Sequence, residues 1–242
     1  MILLVDTETH SLESPRVIEA AIGVIHDETD EVELHAERFN PGVPVSIKAS
    51  AIHDIVDGDL AGLTPFKESL LGDMYVEANI PENYVVAHNA PFDLEAIKNE
   101  GIETKMSVID TLRCCKHLLM DTACEEYNMQ YLKYFLKLNE DPVPEALKKY
   151  LGKAHGAAAD VVTLYLLFRR LASKHSLEAL AALTQKTVIY NKMPFGKHKG
   201  KAIAEIIANN KGYVTWVRKS LDDGDIIASF NYHSKVASNR PK

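Results

Sequence analysis

The chain has 242 residues, 46% hydrophobic and 25% charged, with a formal net charge of −7. These are the proportions of a globular protein of one or two domains, and they exclude disordered, fibrous and repeat classes. Three cysteines, two of them adjacent (Cys114, Cys115), match neither a disulfide framework nor a CxxC metal spacing, which points to a reducing compartment, most simply cytoplasmic.

Met1–Val5 runs straight into Asp6, so no signal-peptide core is expected, and no apolar run nears the about 18 residues of a membrane span. Ile2–Val5 reads as a short buried strand ending at Asp6. Val17–Ile25 (VIEAAIGVI) and Val32–Phe39 read as two more strands, joined by the short polar turn His26–Glu31 into a hairpin. After a Pro-containing stretch, Pro41–Ser46, helical segments are expected around Ile47–Ile55 and Pro65–Val76. Tyr84–Ala87 is a fourth strand, followed by a helix with Pro91 near its start, Leu94 and Ile97 on one face, and Gly101 as its stop. Val108–Ile109 begins a weak fifth strand before a helix containing Leu112 and His117. Tyr127–Leu138 and Val161–Leu171 are both helical. The second carries Val161, Leu164, Leu167, Phe168 and Leu171 in an inward stripe. Hairpin strands followed by strands alternating with helices make a mixed α/β sheet.

The break between domains is expected near Thr184–Asn191, with a first domain over 1–183 and a small basic segment over 190–242. From Lys186 onward there are eleven Lys/Arg against four Asp/Glu, a net of +7, which leaves −14 on residues 1–185. A basic segment on an acidic body suits a polyanion, although the two parts could also simply attract each other. In MPFGKHKGK (Met193–Lys201), Lys197, Lys199 and Lys201 would share one face if the stretch were extended, a ready contact for phosphates. Two short helical patterns follow, Ile203/Ile206/Ile207 and Tyr213/Trp216/Val217, and that spacing makes Tyr213 and Trp216 core residues rather than base-stacking ones.

Asp6-Thr7-Glu8 follows the first strand, and residues two apart on a strand point the same way. Two carboxylates on one face repel unless a cation lies between them. Alone, the pair equally suits a solvated strand end, and Asp93-Leu94-Glu95 repeats the spacing. His88-Asn89-Ala90-Pro91-Phe92-Asp93 opens a helix, where an early acid also complements the helix dipole. His155-Gly156-Ala157-Ala158-Ala159-Asp160 leads into the Val161–Leu171 helix, and its alanines leave a bare surface for a bulky substrate. By spacing, His88 and His155 are rival general bases.

Taken in order, VDTET, AHNAPFD and HGAAAD resemble the motifs of the DEDDh, or DnaQ-like, 3′→5′ exonucleases of the RNase H-like superfamily. The likeness covers about residues 1–173, with Ala51-Ile52-His53 similar to a segment between the first two motifs. Within the family it is to the exonuclease X group, whose C-terminal segment MPFGKHKGK and Gly212–Val217 also resemble. His10-Ser11 departs from the usual Thr-Gly of that loop. The resemblance implies an RNase H-like five-stranded sheet and two Mg²⁺ or Mn²⁺ ions held by Asp6, Glu8, Asp93 and Asp160. It implies His155 as the base, and Thr7, Thr9 and Leu12 around the terminal nucleotide; His53, Asn89 and Phe92 are further candidates, with Asn89 equally suited to capping a helix. The activity implied is hydrolysis of DNA from the 3′ end. The alternatives are an RNA-directed member, RNase T-like or oligoribonuclease-like, and a non-catalytic nucleic-acid binding protein. The partner is nucleic acid, and no membrane is expected.

Overall fold

The computed structural model describes residues 1–26, 31–152 and 156–238. The chain divides into two compact units: Met1–Cys114 with Glu126–Thr184, and Cys115–Glu125 with Gln185–Lys242.

The first unit is built on a mixed five-stranded sheet, as the sequence implies. Its strands are β1 (Ile2–Thr9), β2 (Val17–Ile25), β3 (Val32–Arg38), β4 (Tyr84–Ala87) and β5 (Ser107–Asp110), in the order β3-β2-β1-β4-β5. β1 to β3 are antiparallel neighbours, while β4 and β5 run parallel to β1. β1 extends past its expected end at Val5, because hydrogen bonding to β2 continues through Asp6↔Ala21 and Glu8↔Glu19. The acids are therefore strand residues, and alternation governs where they point.

Leu3 and Val5 belong to a core with Phe39, Tyr75 and Ile97, on the sheet face covered by α3 (Leu70–Ala78) and α4 (Ala90–Asn99). Before them come the short α1 (Ile47–His53) and α2 (Asp57–Leu60), in the region where a helix was expected. Leu4 faces the other way, toward α8 (Ala157–Ala172). In the chain between α4 and α8 come α5 (Thr111–Leu119), which belongs to the second unit from Cys115 onward, α6 (Met129–Phe135) and α7 (Glu145–Lys148), and α9 (Leu177–Gln185) follows α8. Val161, Leu164, Leu167, Phe168 and Leu171 are all buried, as their spacing implied. Each such side chain contributes about 1.5–3 kcal/mol by leaving water. Gly23 makes the close approach possible: a Cβ there would stand 3.2 Å from Val161 Cγ1 and 3.3 Å from Leu4 Cδ1. At the end of α4, the buried Glu100 carboxylate accepts both Arg16 guanidinium bonds (2.8 and 3.0 Å) and the Val17 N–H (3.1 Å), tying the helix to the start of β2.

The second unit packs α10 (Ile203–Asn209), α11 (Lys211–Ser220) and α12 (Gly224–Ser238) around Val188, Tyr190, Met193, Val217, Ile226 and Phe230. The periodicity of the sequence marks only the first two helices. The buried face of α12 includes Ser229, whose hydroxyl accepts the Tyr190 N–H at 2.8 Å, so its inward stripe is partly polar. The lysine row is not extended. A 3₁₀ turn at Gly196–His198, positive φ at Gly196 (73°) and Gly200 (80°), and the bonds Gly200 N–H to Met193 O and Met193 N–H to Lys201 O close it into a loop. Lys197, Lys199 and Lys201 are nonetheless all exposed. Trp216 is not core either: it is 46% exposed, whereas Tyr213 is buried. Among the described residues no helix is long and apolar enough to cross a membrane.

Candidate functional site

Asp6 and Glu8 lie two and four positions beyond Leu4 on β1, so alternation turns both toward the α8 face of the sheet. Asp160 sits in the first turn of α8 on that same face. One carboxylate oxygen from each of Asp6, Glu8 and Asp160 lies within 4.8 Å of the others; Asp6 and Glu8 are half-buried and Asp160 is buried. At such distances two unit charges repel by about 3–4 kcal/mol at an effective dielectric near 20. Protons respond accordingly. Burial, then the charges of Asp93, Asp160, Glu8 and Glu19, hold the Asp6 carboxyl well above the usual range. Burial with Asp160, Glu19 and Asp93 pushes Glu8 up to about 7. Three carboxylate oxygens this close together form a donor set suited to a hard divalent cation.

Thr7, between the two acids, points to the opposite face and meets the first turn of α4. Its N–H and its hydroxyl both donate to Asp93 Oδ1, at 2.9 and 2.8 Å. Asp93 is buried, and burial pushes its carboxyl up to about 7 against the opposing pull of the Thr7 bonds, with the Asp110 charge adding to the rise. Asp93 is thus not one of the three clustered carboxylates, although its charge reaches Asp6 and Glu8. The side chain of Thr7 is occupied with its bond to Asp93. Thr9 is also buried, beside a register shift in the β1–β2 pairing, and its hydroxyl donates to Ser11 O at 3.1 Å. In the same loop His10 accepts the Arg16 N–H on Nδ1 (3.1 Å) and meets Ser11 Oγ with Nε2 (3.2 Å), so this departure from the family pattern closes the loop.

His155 lies outside the described residues. His88, its rival, has both ring nitrogens engaged: Nδ1 with Thr111 Oγ1 at 2.9 Å and Nε2 with Tyr127 O at 2.8 Å. A doubly held imidazole is poorly placed to take a proton from water. Leu12 is 78% exposed and Phe92 half-buried. Asn89 adopts a left-handed conformation (φ 71°) and does not cap α4 with its side chain; its N–H donates to Asp110 Oδ1 at 3.0 Å. His53 is buried, accepts the Ile55 N–H on Nδ1, and leaves Nε2 without a partner among the described residues. Burial lowers its pKa, which keeps it neutral near pH 7.

Two residues escaped sequence reasoning. Glu19 on β2 pairs with Glu8 on β1, and its carboxylate accepts the Ala157 N–H at 3.0 Å and the Arg38 Nε–H at 2.9 Å. It thereby fixes the start of the helix that carries Asp160. The available signal was a single acid inside an otherwise apolar strand. Gln130, on α6, reaches Asp160 Oδ1 at 3.4 Å. Beside them opens a depression of about 340 Å³, lined in part by Arg38, Tyr150, Gly156, Ala158 and Ala159. Of the three alanines of HGAAAD, Ala158 and Ala159 line this depression, whereas Ala157 is buried.

A family model described as Exodeoxyribonuclease X-like C-terminal matches residues 193–222. The chain is 28% identical over 224 residues to Exodeoxyribonuclease 10 of Escherichia coli K12, covering 92% of each chain. Its fold is similar to exonuclease X in complex with 5′ overhanging duplex DNA (TM-score 0.57, 22% identity, 76% of this chain and 99% of that one). It is also similar to E. coli exonuclease I bound to a dA16 oligonucleotide (TM-score 0.55, 17% identity, 76% of this chain and 42% of that one). These likenesses bear out the resemblance to DnaQ-like exonucleases, the exonuclease X group among them, that the motifs carry.

Proposed function

We propose that the protein is a metal-dependent 3′→5′ exonuclease of DNA that releases nucleoside 5′-monophosphates. The observation that carries this reading is the convergence of Asp6, Glu8 and Asp160 within 4.8 Å, with Asp93 bonded to Thr7, the residue between the two acids of β1. In it, these four carboxylates hold two Mg²⁺ or Mn²⁺ ions, for which a cluster of oxygens that raise one another's pKa is a fitting cage. When bound, two such ions stabilise both the attacking and the leaving oxygen of an in-line displacement at phosphorus.

The chain's own residues do the rest. His155 takes the proton from the attacking water, since an unperturbed imidazole, with a pKa of about 6.5, suits base chemistry near neutral pH. His88 is excluded from that task by its bonds to Thr111 and Tyr127. Thr7 is a positioning residue that holds Asp93, and Glu19 one that seats α8. Leu12, exposed just beyond β1, offers an apolar surface to the terminal nucleotide, with the Thr7–Thr9 backbone, His53, Asn89 and Phe92 completing its surroundings. The first unit carries the chemistry, and residues 190–242 form a small basic accessory domain that contacts phosphates through Lys197, Lys199 and Lys201.

Polarity and substrate are tested together. A 5′-labelled DNA strand given Mg²⁺ shortens progressively from its far end, and faster than an RNA of the same sequence. Release of the labelled 5′ nucleotide as first product, or preference for the RNA, would overturn the assignment.

Thr7→Val keeps the volume and removes the hydroxyl donor to Asp93. Loss of a group that orients a metal ligand costs about 10–100-fold in metal affinity or activity. The expected result is an activation curve displaced to higher Mg²⁺, restored by Thr7→Ser. An unmoved curve would mean that Asp93 needs no such anchor.

A further inference from the structure

Trp216 is the only tryptophan of the chain and is 46% exposed, unusual for a residue type that is highly buried on average. It is supported nevertheless. Its ring stacks on Tyr213 at 5.3 Å with 30° between the planes. Tyr213 is wedged in turn by His198, edge-on at 4.4 Å, by Phe230 at 6.3 Å, and by Lys197, whose Nζ stands 5.0 Å from the ring centre. Indole and ammonium thus lean on one buried ring, and the indole is a fixed plate rather than a loose side chain. Nothing on its own helix is built to cover it. Helical side chains lie back over the preceding turn, and there the position four residues earlier is Gly212, where a Cβ would meet only Asn210 Oδ1 at 3.9 Å. The position four residues later is Ser220.

The surroundings are basic. Lys197, Lys199 and Lys201 are exposed in the loop that packs on Tyr213, Phe195 at its head is 43% exposed, and residues 186–242 carry the net +7. A rigid aromatic plate among lysines fits a strand of nucleic acid, whose bases each present a π-face and whose phosphates each present a charge.

We propose that Trp216, backed by Tyr213, is a stacking platform for an unpaired base of a nucleic-acid strand, whose phosphates are met by Lys197, Lys199 and Lys201. The platform does no chemistry, and it rests on the exonuclease reading only in taking the bound strand to be substrate.

The lone indole makes the test direct. The full chain carrying Asp6→Asn, in chelator so that nothing is cut, is titrated with a single-stranded oligothymidylate while tryptophan emission is followed. Expected is saturable quenching, absent with an abasic strand of equal charge. Affinity read from a labelled oligonucleotide falls about 5- to 150-fold in Trp216→Ala, the range for one base stack, and largely returns in Trp216→Phe. Replacing the three lysines with Ala flattens the plot of log K against log salt by up to about two units. Binding that leaves the emission unchanged, or quenching by an acidic polypeptide equal to that by the strand, overturns the platform. So does Trp216→Ala with unaltered affinity. Should that variant melt early, Trp216→Leu that melts like the wild type and binds with unaltered affinity has the same force. Hydrolysis by the wild-type chain is read separately: cutting without an emission change removes the platform alone, and an emission change without cutting removes the nuclease reading alone.

Discussion

Asp6→Asn is expected to lower DNA hydrolysis by at least about 10³-fold while raising the melting temperature of the metal-free protein. The first effect follows from removing one donor of the cage; a metal site supplies several kcal/mol to charge stabilisation in the transition state, and about 1.4 kcal/mol is worth a factor of ten. The second follows from geometry. Asp6 shares its surroundings with Glu8 and Asp160 within 4.8 Å, and Asp93 and Glu19 add to the repulsion. An isosteric amide removes one charge from that cluster, and at pH 8, where the neighbours are most ionised, each relieved pair is worth up to about 3 kcal/mol. A gain of a few degrees corresponds to about 1–2 kcal/mol for a chain of this size. Retained turnover at saturating Mg²⁺ would remove Asp6 from the site. A lowered melting temperature at pH 8 would show that its charge is already compensated by the fold.

The same electrostatics predicts how metal and pH act together on stability. Burial and neighbouring charges push the carboxyls of Glu8 and Asp93 up to about 7 and hold that of Asp6 well above the usual range, whereas unfolded carboxylates titrate near 4. Between those values the folded state binds more protons than the unfolded one, so the contribution of these groups is present at low pH and is lost as pH rises through about 7. For Glu8 alone that loss is at most about 3 kcal/mol. In the metal-dependent reading proposed above, a divalent cation would take the place of the protons. Mg²⁺ or Mn²⁺ should therefore raise the melting temperature by several degrees at pH 8 and by little at pH 5, and chelator should reverse the gain. Combining Asp6→Asn with Glu8→Gln should abolish the pH dependence of the metal effect. A metal-induced shift as large at pH 5 as at pH 8 would show that the ion binds elsewhere.

Much of this architecture is written locally in the chain. Val17–Ile25 and Tyr84–Ala87 are strands with the ends their sequence implies, because an apolar run bounded by polar residues has one economical conformation in a sheet. The inward stripe of α8 follows from its three- and four-residue spacing. The order of VDTET, AHNAPFD and HGAAAD marks the candidate acids. What no local pattern contains is the partnership between distant segments. Thr7 meets Asp93 across 86 residues, and Glu19 meets Ala157 across 138. Both contacts depend on strand alternation combined with the sheet order, which puts β4 and the start of α4 next to the end of β1. His88 and Trp216 tell the same story in opposite directions. One looked like a free base and is held at both nitrogens; the other looked like core and stands exposed on a tyrosine. Helical and strand periodicities report which face of an element is apolar, because side-chain direction is a property of the backbone. Whether a polar atom is satisfied, or an aromatic ring covered, depends on which other element arrives there, and only the packed tertiary structure decides that.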